Sequence, residues 1–165
     1  LGSDGRRPWD AVGAGVGLAF AIGIPGLAIY LGGRALGITA AVNPAGLDQF
    51  WWTIPILLLS AARAGITEEV IMIGYLFARL RDLGWRTWPI ILVSALIRGT
   101  YHLYQGFGSF VANVLLGVVF GWIYSRTGRV LPLVIAHFVV DAVVFVGWPL
   151  AAATWPDLFG LPATP

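Results

Sequence analysis

From Val12 to Leu31 the chain carries no charged side chain. At about 1.5 Å of rise per residue, a run of that length crosses the ~30 Å hydrocarbon layer of a bilayer as one helix. Similar runs recur, and they place helices near 11–31, 49–80, 88–104, 109–125 and 130–149. Lipid offers no partner to the polar edge of an open sheet, so the fold class is all-α: a polytopic membrane helix bundle of about five spans, read as one transmembrane domain over 1–165. Glycine and proline mark the expected breaks at Gly32-Gly33, Asn43-Pro44, Leu83-Gly84, Gly106-Phe107-Gly108, Thr127-Gly128 and Trp148-Pro149.

Composition supports this. With 58% hydrophobic and 11% charged residues, the chain is far more apolar than the roughly 45–50% apolar and 25% charged content of soluble domains. The formal charge is only +2 and the basic residues, all arginine, form no patch, which argues against a nucleic-acid partner and for membrane lipids. The absence of cysteine excludes disulfides, thiolate metal sites and a cysteine nucleophile. The chain starts at Leu1 and its only methionine is Met72, so its own start is expected upstream.

Arginines in connecting segments accumulate on the cytoplasmic side. If 49–80 is one span, Arg6, Arg7, Arg79, Arg81, Arg86, Arg126 and Arg129 fall on one side and Arg34 on the other. Splitting that stretch at Arg63-Ala64-Gly65 would separate the Arg79 to Arg86 cluster from Arg126, so one long element is expected. Its length of ~48 Å requires a tilt, a kink near Pro55 or Gly65, or a projection beyond the bilayer. Trp9, Trp85, Trp88 and Trp122 then lie near the inner interface. Trp51, Trp52, Tyr101, Tyr104 and Trp148 lie near the outer one, and the tail with Asp157 is outside.

Ionisable groups inside these spans need a reason, because each costs about 2.5–3.5 kcal/mol even on lenient insertion scales. The adjacent carboxylates Glu68 and Glu69 lie in the second span, Arg98 and His102 in the third, His137 and Asp141 in the last. Counting inward from the arginine-rich ends puts all six roughly 10–21 Å deep. Arg98 and His102 share a helix face, as do His137 and Asp141, whereas Glu68 and Glu69 point about 100° apart, so one glutamate acts and the other supports. Such a constellation marks a relay or a reaction centre. Gly117-x-x-x-Gly121 allows close helix packing. Thr67 and Thr100 are weak nucleophile candidates, equally explained by back-bonding to their own helices.

With those residues in place, the chain resembles the CPBP family of intramembrane proteases, the CAAX-protease and bacteriocin-processing (Abi) group, over roughly 49–147. The Glu-Glu-x-x-x-Arg motif is matched by Glu68-Glu69 with Ile73 in the arginine position; Phe-x-x-x-His by His102 with Arg98 in the phenylalanine position; His-x-x-x-Asn by His137 with Asp141 in the asparagine position. The resemblance implies an intramembrane endopeptidase in a prokaryotic plasma membrane, its site open toward the cytoplasm and its substrate a peptide or membrane protein. Catalytic positions by this resemblance are Glu68, Glu69, His102, His137 and Asp141. Glu68 and His102 activate a water, His137 and residue 141 stabilise the oxyanion, and Arg98 supports.

An ionised aspartate cannot donate to an oxyanion as asparagine does, so Asp141 is protonated, orients His137 or binds metal. Glu68, His102 and His137 form a candidate zinc set, and a metal-free mechanism fits equally. Two other classes use the same residues: a proteolytically inactive scaffold or bacteriocin-immunity protein, and a proton-coupled transporter. Because Ile73 removes one guanidinium and Arg98 adds one, Arg98 is expected to pair with Glu69 or Glu68 across a helix interface.

Overall fold

The computed structural model describes residues 8–40 and 50–154, so Arg6, Arg7, Asn43-Pro44 and Asp157 lie outside the described residues. Every regular element among them is helical: α1 (Pro8–Ala35), α2 (Thr53–Glu68), a π-helical turn (Glu69–Tyr75), α3 (Leu76–Asp82), α4 (Thr87–Tyr101), a 3-10 turn (Leu103–Gln105), α5 (Phe107–Thr127), α6 (Leu131–Ala142), a second π-helical turn (Val143–Gly147) and α7 (Trp148–Thr154). Helical geometry runs unbroken from Thr53 to Asp82 and again from Leu131 to Thr154, so the protein is an all-α membrane bundle with five helical passes. Three helices are long and apolar enough to cross a bilayer on their own: Trp9–Ala35, Phe107–Thr127 and Leu131–Ala151. The other two passes carry Glu68, Glu69 and Arg98. At 15 residues, α4 spans only about 22 Å.

Turn chemistry fixes the reversals. Gly84, Gly106 and Gly128 have φ of 80°, 101° and 66°, a region that glycine enters without a Cβ penalty, and each sits at an expected break. The break expected at Gly32-Gly33 falls later: α1 continues to Ala35 and Gly37 takes the left-handed conformation at φ 70°. Ile38 and Thr39 then donate backbone hydrogen bonds to the Gly33 carbonyl, folding back over a site with no room for a side chain.

Helix runs without interruption through both Pro55 and Gly65 in the long second pass. Pro55 lies in the first turn of α2, where its missing N–H would have had no intrahelical partner anyway. Gly65 is a packing contact, since a Cβ there would come within 3.1 Å of the Val134 carbonyl and 3.2 Å of the Phe138 nitrogen in α6. The irregularity is instead the π turn that begins at Glu69. Trp148-Pro149 is likewise no break: the π turn at Val143–Gly147 directly precedes Pro149, where the hydrogen-bond register is already shifted, and helix continues through it.

Small residues bring the passes together. On α5, a Cβ at Gly117 would lie 2.8 Å from the Ala95 backbone of α4, and one at Gly121 would press on Phe77 and Ile91. The motif therefore seats α5 against α4 and α3. Gly15 does the same for α1 against Pro132 and Ile135 of α6. The core of Ile73, Phe77, Ile90, Ile91, Phe120, Tyr124 and Leu133 fills the space between. The Arg81 guanidinium lies 5.9 Å from the Tyr124 ring, which brings the arginine-bearing ends of α3 and α5 together on one side of the bundle. At the other side, Ala40 and Gly108 hydrogen bond with the Gln105 and Ile38 carbonyls, tying the end of α1 to the α4–α5 turn.

Candidate active site

All six polar residues singled out in the spans belong to one chain of contacts, with Arg98 at its centre. Its stem passes the space left by Gly117, whose Cβ would sit 3.5 Å from the Arg98 Cδ, and its guanidinium lies 5.5 Å from the Phe120 ring. From there NH1 donates to Glu69 Oε1 at 2.7 Å, while NH2 lies 3.5 Å from Glu68 Oε2 and 3.2 Å from His137 Nδ1. The two glutamates diverge around their helix, yet the arginine fork is wide enough to meet both.

The set divides by burial. Glu69 is 0% exposed, Arg98 2% and His137 8%, and His137 Nδ1 meets the same Glu69 oxygen at 2.7 Å. Glu68 and His102, at 22% and 18%, form an outer edge in which His102 Nε2 lies 3.6 Å from Glu68 Oε2. Neither ring nitrogen of His102 has a hydrogen-bond partner among the described residues. Asp141 joins only through His137, its Oδ2 standing 3.4 Å from Nε2.

Local structure explains the placement. Glu69 opens the π turn, in which the Leu76 N–H bonds back five residues to the Ile71 carbonyl. The wider turn leaves the Met72 carbonyl to accept from Ser94 Oγ of α4 at 2.9 Å. A π turn inside an α-helix frequently accompanies a functional site. His102 ends α4 at φ −95°, ψ 0°, so its imidazole stands where the helix gives way to the 3-10 turn. Ile73, in the position where the family motif has arginine, is 1% exposed and part of the apolar core.

Sequence reasoning missed Tyr101, which it assigned to the membrane interface. Its hydroxyl donates to Glu68 Oε2 at 2.8 Å. The signal was present, since positions 98, 101 and 102 share one face of α4. Ser94, one turn before Arg98, was missed as well. Thr100 donates to the Leu96 carbonyl at 2.8 Å, the back-bonding alternative to a nucleophile.

The zinc set of Glu68, His102 and His137 can be tested on the same geometry. No group of three or more His, Asp or Glu placed to hold a metal occurs among the described residues. His137 has Glu69 on one ring nitrogen and Asp141 near the other, and a guanidinium stands between it and Glu68. In this arrangement the Arg98 guanidinium occupies the space between Glu68 and His137.

A family model described as type II CAAX prenyl endopeptidase Rce1-like matches residues 50–143, more than half of the chain. The chain belongs to this family. No curated protein and no solved structure gives a significant match. Membership makes this Rce1-like chain a member of a protease family embedded in lipid, with a peptide as the class of substrate. The matched stretch contains every residue of the polar chain from Glu68 to Asp141.

Proposed function

We propose that this chain is an intramembrane endopeptidase in which Glu68 and His102 together hold and activate one water for attack on a peptide carbonyl. The observation that carries this reading is the outer edge of the site: a carboxylate and an otherwise unpartnered imidazole 3.6 Å apart. A water bridging the two would come within the roughly 2.6–3.2 Å that proton transfer needs, once the edge opens to admit it, since both imidazole nitrogens are closed off from solvent here. Glu68 takes the water proton as the oxygen bonds to the carbonyl carbon. The same proton then passes to the amine nitrogen as the C–N bond breaks, leaving a new carboxyl terminus and a free amine. The buried members hold this edge in place. Glu69 at Nδ1 and Asp141 near Nε2 orient the ring of His137, and with a proton on both nitrogens that ring supplies the positive charge that stabilises the developing oxyanion. No step runs through a metal, so treating the purified protein with a chelator should leave its cleavage rate unchanged.

Orientation and access belong to the same proposal. The arginine-rich ends face the cytoplasm of a prokaryotic plasma membrane. Along both the second pass and α4, Glu68 and His102 lie roughly 21–22 Å from those ends, so a path from the cytoplasm to the site has to run most of the depth of the bundle. The test is cleavage of a membrane-tethered peptide library by purified protein. Wild type should release fragments and Glu68→Gln should not; equal release by both would overturn the reading.

A further inference from the structure

Three groups approach the Glu68 carboxylate, and all three approach the same oxygen. Tyr101 Oη lies 2.8 Å from Oε2, Arg98 NH2 3.5 Å and His102 Nε2 3.6 Å. Only the first distance is that of a strong hydrogen bond. The shortest contact of each falls on Oε2, none on Oε1. Tyr101 is the last residue of α4 and its ring lies 4.8 Å from the His102 imidazole, tilted by 42°. One side chain therefore holds the carboxylate and flanks the imidazole.

We propose that Tyr101 is a positioning residue for the water-activating glutamate: its hydroxyl pins Oε2, and so leaves Oε1 turned to the water as the proton-accepting oxygen. This rests on the endopeptidase reading of the site. The physical need is clear from the neighbours. The last torsion of a glutamate side chain is broad, and the Arg98 fork stands just beyond hydrogen-bond distance of Oε2. Without the phenol, the carboxylate turns both oxygens to the guanidinium, the bidentate geometry arginine favours, and withdraws from the water. A tyrosine suits the task because its hydroxyl donates one proton from a rigid ring, fixing one oxygen and leaving the other open.

The test is Tyr101→Phe, which deletes one oxygen atom at a half-exposed position. On a membrane-tethered peptide that wild type cleaves, kcat should fall roughly 10–100-fold, the scale of a misplaced reacting group. KM and the thermal midpoint should stay unchanged, a split that a merely structural role would not give. In parallel, the infrared carboxylate band of Glu68, identified by its loss in Glu68→Gln, should shift in Tyr101→Phe. An unshifted band, or an unchanged kcat, overturns the proposal. A wild type that cleaves nothing while the band still shifts would remove the endopeptidase reading and leave the Tyr101 to Glu68 lock standing.

Discussion

Arg98 is the residue on which the polar network turns, because its charge is held by two carboxylates and its stem by the gap at Gly117. A charge buried this deeply is stable only while paired, and removing one partner of such a pair typically costs about 3–5 kcal/mol. Arg98→Ala should therefore destabilise the protein toward that scale by leaving the buried Glu69 with only the His137 imidazole as partner, measured as a loss of thermal or denaturant resistance in detergent. In a double-mutant cycle with Glu69→Gln, the two losses should couple by roughly 0.5–3 kcal/mol; additive losses would mean the 2.7 Å contact carries no energy of its own. The pairing was legible in the sequence, because Ile73 removes a guanidinium and Arg98 restores one at matching depth. What could not be read was that Glu69, not Glu68, lies wholly inside, since that depends on how the helix is rotated against α4 and α6. Tyr101 escaped for a related reason: an aromatic near a helix end has the same sequence signature whether it meets lipid headgroups or a carboxylate.

At the scale of elements, the decisive feature is the π turn at Glu69–Tyr75, which lies between the helix that carries Glu68 and the stretch that packs Phe77 into the core. Its Met72 carbonyl accepts from Ser94. Ser94→Ala should cost about 1–3 kcal/mol, the price of leaving a buried polar group unmatched, and a melting curve would show it. Gly117→Val should be at least as damaging, because the Ala95 backbone blocks the new side chain, and overpacking typically costs 1–3 kcal/mol. Helix existence and the reversals at Gly84, Gly106 and Gly128 follow from hydropathy and glycine spacing. The π turns do not, since the β-branched residues and glycine in Glu69–Tyr75 and Val143–Gly147 weaken an α-helix without specifying a π turn. They arise from tertiary fit, and the second of them lies just before Trp148-Pro149, where helix continues instead of breaking.

For the whole molecule, Arg79, Arg81, Arg86, Arg126 and Arg129 lie at or near the ends of the passes opposite the edge formed by Glu68, Tyr101 and His102, with Arg34 at the other end. The chain has no cysteine of its own, so single-cysteine variants report orientation without background. Arg129→Cys in intact cells should be shielded from a membrane-impermeant thiol reagent while Tyr104→Cys is labelled; the reverse pattern would invert the proposed orientation. The central claim, that Glu68 and His102 act as one water-activating unit, is tested most directly by single-turnover cleavage of a tethered peptide by wild type, Glu68→Gln, His102→Ala and the double variant. Each single variant should lose roughly 10²–10⁴-fold in rate, and the double should be no slower than the worse single, as for residues that share one step. Turnover at the wild-type rate in either single variant, or losses that multiply in the double, would contradict the account.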